Sequence, residues 1–210
     1  MTSHMRKNIV FLAAAFLCAT AAHGSTIYDE SVSGDLSNSG LAPTLVTVSV
    51  GSNYLFGTTG KTNNIVDRDY FKFIVPQGEE LTAITVLPGT KTLGTLGDSF
   101  IGIESGPQVT VSTSATDATG LLGWFHYDTG DIGGDILPLM GMAGFGSTGF
   151  TAPLPAGTYS FWVQEASTGR VPYGFDFTVA TPEPASWTML LAGLALLVGK
   201  TTYRAARSAL

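Results

Sequence analysis

Cysteine occurs once in the chain, at Cys18. It sits in an apolar N-terminal stretch, so nothing between Ser25 and Thr181 can form a disulfide or act as a thiol nucleophile. Histidine is nearly as scarce, and of the three only His126 follows Gly24. A serine hydrolase would have one candidate base, and no Gly-x-Ser-x-Gly elbow accompanies it. Cations are few. From Ser25 to Thr181 there are five (Lys61, Arg68, Lys72, Lys91 and Arg170) against fifteen acidic residues, a net charge of −10. A segment charged in this way does not bind nucleic acid or an anionic membrane electrostatically. The same interval has no convincing helical stripe and no repeat of fixed period.

The two ends differ from this middle. Arg6 and Lys7 precede "NIVFLAAAFLCATAAHG": a charged start, an apolar core and then small residues, the pattern of a secretory signal peptide. Cleavage after Ala21 or after Gly24 satisfies the small-residue requirement. Leu17 is too large for a lipobox, so Cys18 is not read as a lipidation site. At the other end, Ala185 to Gly199 carries no charge. As a helix it would reach roughly 22 Å at ~1.5 Å per residue, short of the ~30 Å hydrocarbon core. Lys200, Arg204 and Arg207 follow at once. Lys200 can snorkel to extend the span, and a basic end marks the cytoplasmic side. The run is apolar all round, unlike the striped helix that docks on a domain core.

Pro182-Glu183-Pro184, an apolar helix and a basic cluster together resemble the PEP-CTERM sorting signal, and the resemblance covers Pro182 to Leu210. Such tails are recognised and processed by an exosortase, a membrane transpeptidase-like enzyme. The resemblance implies a Gram-negative host, usually one that makes exopolysaccharide, and a transient membrane anchor. It implies three regions: residues 1–24 as signal peptide, 25–181 as passenger domain and 182–210 as sorting tail. Within the tail it places the transmembrane helix at about 185–199 and the basic end at 200–207.

The passenger has the texture of an all-β domain, an antiparallel β-sandwich or jelly roll, flanked by an N-terminal signal helix and a C-terminal transmembrane helix. Short runs rich in Val, Ile, Thr, Phe and Tyr alternate with Gly, Pro, Asn and Ser clusters. Strands are predicted near Thr44–Val50, Tyr70–Val75, Leu81–Leu87, Ser99–Glu104, Val109–Ser112, Leu121–Tyr127, Tyr159–Glu165 and Gly174–Val179. "VPQG" and "LPAG" are predicted turns, with Pro presetting φ and Gly taking a positive φ.

"DRDYFKFIVPQGEEL" and "LPAGTYSFWVQEA" followed by "YGFDFTV" together resemble the bacterial pre-peptidase C-terminal domain, a small β-sandwich often appended to secreted proteases. Asp67, Asp69, Tyr70, Phe71, Phe73, Val75, Pro76 and Gly78 fit its first half. Leu154, Pro155, Gly157, Thr158, Tyr159 and Val163 fit its second. The insertion from Leu93 to Pro153 is longer than that module leads one to expect, and its Gly-rich segment at 130–149 suits an extra hairpin or a mobile loop.

Asp67 and Asp69 could ligate calcium from a loop, but two Asp at i and i+2 before a strand read first as turn and strand-start caps. Asp128, Asp131 and Asp135 could likewise wrap calcium, yet they match no EF-hand spacing and read as a solvated loop. The expected metal and cofactor are therefore none. "GFGSTG", Gly144 to Gly149, lacks the following helix that a dinucleotide site needs. Glu79, Glu80, Glu104 and Glu165 offer carboxylates, but nothing in the sequence selects a glycosidase pair. His126, beside aromatics, reads as structural.

Trp124, Phe125, Tyr127, Phe161, Trp162 and Tyr173 are expected mainly in the core. By strand alternation Trp124 and His126 share one face and Phe125 and Tyr127 the other, so an exposed aromatic strip could stack on sugar rings. The reading that follows is an exported, non-enzymatic envelope or matrix protein, structural or adhesive, with exosortase, membrane and exopolysaccharide as partners and no nucleic acid. A carbohydrate-binding, lectin-like module is the alternative.

Overall fold

The computed structural model of the chain describes residues 24–94 and 99–182, together with Gly193. Residues 1–23, Glu183, Pro184 and the rest of the tail apart from Gly193 lie outside the described residues, and with them the expected signal and transmembrane helices. No helix among the described residues is long and apolar enough to cross a membrane.

The elements run β1 (Ser25–Asp29), α1 (Glu30–Ser33), β2 (Thr44–Leu45), β3 (Gly51–Thr62), β4 (Ile65–Val75), β5 (Glu80–Val86), β6 (Ser99–Ser105), β7 (Gly123–Phe125), α2 (Leu137–Met140), β8 (Gly157–Glu165) and β9 (Gly169–Ala180). The fold is all-β and mainly antiparallel. The path β5-β9-β3-β4-β8-β6-β7 is continuous, while β1 lies parallel along β3 and β2 parallel along β4.

The β3–β4 hairpin is the hinge of this sheet. Asn63 and Asn64 take φ values of 53° and 62°, the pair of left-handed residues that a tight two-residue hairpin turn requires. The two strands pair only from Gly60↔Asp67 to Thr62↔Ile65. They then part, β3 continuing along β9 and β1, and β4 along β8 and β2. The sheet thus divides into one limb of β1, β3, β9 and β5 and another of β2, β4, β8, β6 and β7.

Alternate residues of both limbs point at one another and bury the core. β4 contributes Phe71, Phe73 and Val75, β8 Phe161 and Val163, and β9 Phe175, Phe177 and Val179, all essentially inaccessible. Phe161 stacks on Phe71 at 5.1 Å and meets Phe177 of the other limb edge-on at 5.2 Å. Burying one such ring contributes roughly 1.5–3 kcal/mol.

The strand readings near β4, β5, β6, β8 and β9 agree with these elements. Three others need correction. Thr44–Val50 is a strand only at Thr44–Leu45, although Val46 and Val48 do bury their side chains. Val109–Ser112 is no strand: it belongs to a loop that lies across the outer face of the second limb, where Val109 packs with Tyr70 and Trp162. Leu121–Tyr127 shortens to β7. "VPQG" turns as expected, with the Glu79 N–H donating to the Pro76 carbonyl and Gly78 at φ 83°. Gly157 instead opens β8 without a positive φ.

Candidate functional site

Two places bring chemistry-bearing side chains together. The first lies at the hairpin end of the two limbs. "YDES" makes one helical turn there: the Asp29 side chain caps α1, accepting from the Ser31 N–H at 2.9 Å. That turn aims Glu30 inward, where its Oε2 accepts from the Thr58 N–H at 2.7 Å and its Oε1 from the Leu36 N–H at 3.1 Å. Asp69 comes from β4, on the core face, and is fully buried. Carboxylate oxygens of Glu30, Asp35 and Asp69 lie within 4.8 Å of one another.

Asp69 is out of the ordinary in this set. Neither of its oxygens has a hydrogen-bond partner, and neither do the buried hydroxyls of Tyr173 and Thr59. The Tyr173 hydroxyl is near enough to oppose part of the shift in the Asp69 pKa but lies outside hydrogen-bond geometry. Burial, with the Glu30 charge adding to it, pushes the Asp69 carboxyl up to about 9. Burial raises Glu30 too, against the donors it accepts from. Burial and then the Asp69 and Glu30 charges drive the Tyr173 phenol well above its ordinary range. At neutral pH and without a cation, Asp69 is therefore a neutral acid.

Arg170 closes the site from β9. Its Nη2 meets Asp67 Oδ2 at 2.6 Å and Asp35 Oδ1 at 3.9 Å. Arg170 can cross at this point because β3 and β9 approach closely at Gly60 (φ 151°), where a Cβ would collide with the Gly169 carbonyl. Tyr173 fits for a similar reason: a Cβ at Gly57 would stand 2.5 Å from its hydroxyl.

The oxygen set suits a hard divalent cation, which takes several carboxylate and hydroxyl ligands. Glu30, Asp35 and Asp69 are the residues that could hold one. Asp67 and Asp69 are therefore no pair of strand-start caps. Asp67 is the partner of Arg170, and Asp69 is a buried acid inside β4. Glu30 and Asp35 escaped the sequence reading, and no spacing rule would have found them, because they reach Asp69 only when β1 lies along β3.

The second place is a groove of about 270 Å³ on the outer face of β6, β7 and β8, under the 111–118 loop and the Gly-rich 144–147 turn. Trp124 and His126 do share the outer face, while Phe125 and Tyr127 pack toward the main core. Trp124 is parallel to Phe100 at 6.4 Å and meets the edge of His126 at 5.2 Å. Its Nε1 donates to the Gly144 carbonyl at 3.1 Å, so the indole plane is fixed. Trp162 forms the floor: 7 % exposed, stacked on Tyr70, with its Nε1 unpartnered.

The remaining candidates serve the fold. Asp128 caps the short 3-10 turn Thr129–Asp131, with Asp131 closing a capping box. Asp135 accepts from the Ile84 and Leu137 N–H groups. The three acids of this loop are thus tied to the chain rather than simply solvated. Glu165 accepts from Ser99 Oγ, the Leu93 N–H and the Ser167 N–H, and Glu104 from Thr110. His126 Nδ1 is bonded to the Ser99 carbonyl at 3.1 Å. Of the expected sorting triplet, Pro182 is exposed just past β9, and Glu183 and Pro184 lie outside the described residues.

No protein-family model matches the chain, and no curated protein matches it. Among solved structures there is a likeness to Salmonella Typhimurium PliG, a periplasmic lysozyme inhibitor of g-type lysozyme. The identity is 13 % and the match covers 65 % of this chain and 97 % of that one, with a TM-score of 0.31. A likeness at that level carries no argument.

Proposed function

We propose that the chain is an exported, non-enzymatic protein of the cell envelope or extracellular matrix, sorted by an exosortase and acting there in a structural or adhesive role alongside exopolysaccharide. One observation carries this reading. The folded domain fills the interval between the two sorting-like segments, its first strand starting at Ser25 and its last ending at Ala180. Thr181 and Pro182 leave the sheet exposed, so the chain has left the fold where the Pro-Glu-Pro triplet begins. We read the two limbs, with their shared core, as a β-sandwich passenger. The signal peptide delivers it outside, and the tail holds it briefly at the membrane before processing.

The lectin-like alternative is favoured by a separate observation, the aromatic groove around Trp124. His126 is tied through Nδ1 to the Ser99 carbonyl of β6, and Glu104 and Glu165 accept from neighbouring backbone and hydroxyl groups, roles that serve the fold. Reporter fusions placed after Thr181 and after Leu210 test the export reading. The first should report from outside the cytoplasm and the second from inside. A cytoplasmic passenger would overturn the reading.

A further inference from the structure

The outer-face groove combines features that point to one kind of ligand. Its floor and one wall are aromatic: Trp162, Phe100 and Trp124. Its rim is made of hydroxyl-bearing residues, Ser112, Thr113 and Thr116, with the exposed carboxylate of Asp117. Asp117 Oδ1 accepts from the Thr119 N–H, which leaves the other oxygen open as an acceptor. Gln164 turns its amide oxygen to the Arg68 Nε–H at 3.1 Å, and among the described residues its amide nitrogen has no acceptor. A flat apolar wall with a donor and acceptors at its edges complements a ligand that has an apolar face and an equatorial ring of hydroxyls.

Phe145 sharpens the argument. It is 74 % exposed and holds a φ of 50°, a left-handed conformation that a bulky side chain rarely adopts. Folding returns little for this strain, because the ring is not buried. The turn is nevertheless firmly built: the Phe145 carbonyl accepts from the Ala118 N–H at 2.6 Å, and Ser147 Oγ accepts from the Gly144 N–H at 3.1 Å. It sets the Phe145 ring edge-on to Trp124 at 5.7 Å, as a second side to the groove. Backbone strain maintained at a concave aromatic surface is the pattern of a ligand clamp.

Charge narrows the class. Among the described residues no Lys or Arg lines the groove and Asp117 is its one carboxylate, and the surrounding segment is strongly acidic. Arg68, behind Gln164, is held by the Gln164 and Val66 oxygens. Uronate, sulfate or phosphate groups would meet the like charge of Asp117 here, and the nearest cation, Arg68, stands behind Gln164 rather than in the lining.

We infer that this groove binds a neutral saccharide, with a pyranose ring laid against Trp124 and flanked by Phe145, and its hydroxyls hydrogen-bonded by Asp117 and Gln164. This deepens the matrix reading above and rests on it, by naming which part of the chain meets polysaccharide and what that polysaccharide lacks.

Two of the three tryptophans, Trp124 and Trp162, line the groove, so intrinsic fluorescence reports on it. Full-length chain in a non-glycosidic detergent would be titrated with neutral hexaoses (cello-, malto- and laminari-oligosaccharides) and with oligogalacturonate of equal length. At least one neutral series should shift the emission saturably, and oligogalacturonate should not. Trp124→Ala should weaken the response by about tenfold or more, as loss of an aromatic anchor does. Phe145→Ala, at an exposed position that leaves the core intact, should weaken it by a smaller factor. Circular dichroism would establish that both variants fold. A response led by oligogalacturonate, a neutral response unchanged in both variants, or saturable binding of peptides alone would each overturn the inference. Processing and export of the chain would be unaffected by these outcomes, so the sorting reading fails or survives separately.

Discussion

The Asp69 carboxyl of β4 and the Tyr173 hydroxyl of β9 meet in the interior, both shut off from water and neither holding a hydrogen bond. A buried acid in that position is tolerated while it keeps its proton. The ordinary carboxyl value is 3.8 and the folded one about 9. Between those values the folded state holds a proton that the unfolded state has released. Stability therefore falls as pH rises through that window, with a slope of up to about 1.4 kcal/mol per pH unit. Below about pH 4 both states are protonated and the effect vanishes. Urea unfolding in the presence of a chelator, from pH 4 to 9, should show this decline. Asp69→Asn should flatten it and make the chain more stable than the parent at the alkaline end.

A cation would reverse that sign. Calcium, seated among Glu30, Asp35 and Asp69, supplies the charge that burial denies to Asp69. Binding to the folded state alone stabilises it by mass action, by about 2.7 kcal/mol when the free cation is a hundredfold above Kd. The melting temperature should rise with calcium in the parent and fall back with chelator. Asp69→Asn and Glu30→Gln should abolish the rise, while Asp131→Ala, in a loop whose acids already cap the chain, should retain it.

The core makes a simpler prediction. Phe161 is inaccessible and touches Phe71 and Phe73 of its own limb and Phe177 of the other. Phe161→Ala should cost about 3–5 kcal/mol, the transfer term plus the cavity left where the two limbs cannot close. The urea midpoint should drop accordingly. Arg170→Ala, which removes a half-exposed ion pair, should cost no more than about 1 kcal/mol.

These residues differ in how far the sequence disclosed them. Strands with alternating large apolars, such as Phe71/Phe73/Val75 and Phe175/Phe177/Val179, were legible because period two is a local signal. β3 was not, although it is central and 12 residues long. Its inward positions include Gly51, Asn53 and Gly57, types that mark turns in a sequence. Here Asn53 is buried and bonded to three backbone carbonyls, and Gly57 makes room for Tyr173. The Trp124/His126 face followed from alternation alone. Phe145 and Asp117 joined it only through the fold of the Leu93–Pro153 insertion, and Gln164 through the pairing of β8 with β6. Glu30 and Asp35 were equally hidden, since a parallel β1–β3 pairing has no hairpin to announce it.

The tail carries the last prediction. We expect Pro182-Glu183-Pro184 to be the segment that the processing enzyme reads, with the apolar run behind it serving to hold the triplet at the membrane surface. A protease-like groove takes an extended chain, and residues that precede proline are biased to extended conformations, which applies to Thr181 and Glu183. β9 ends at Ala180 and Thr181 and Pro182 are exposed, so the sheet does not sequester the first residue of the triplet. Glu183 would then offer one charge at a set distance from the span expected to start near Ala185. Glu183→Ala should leave the unfolding midpoint of the passenger unchanged, because the residue follows the last strand. It should also leave a heavier, membrane-held precursor, while exchange of the span for an unrelated apolar helix of similar length should matter less. Mass spectrometry of envelope and medium fractions decides between these outcomes. If the Glu183→Ala chain is trimmed and released like the parent, the triplet is not the signal and the tail is an ordinary membrane anchor.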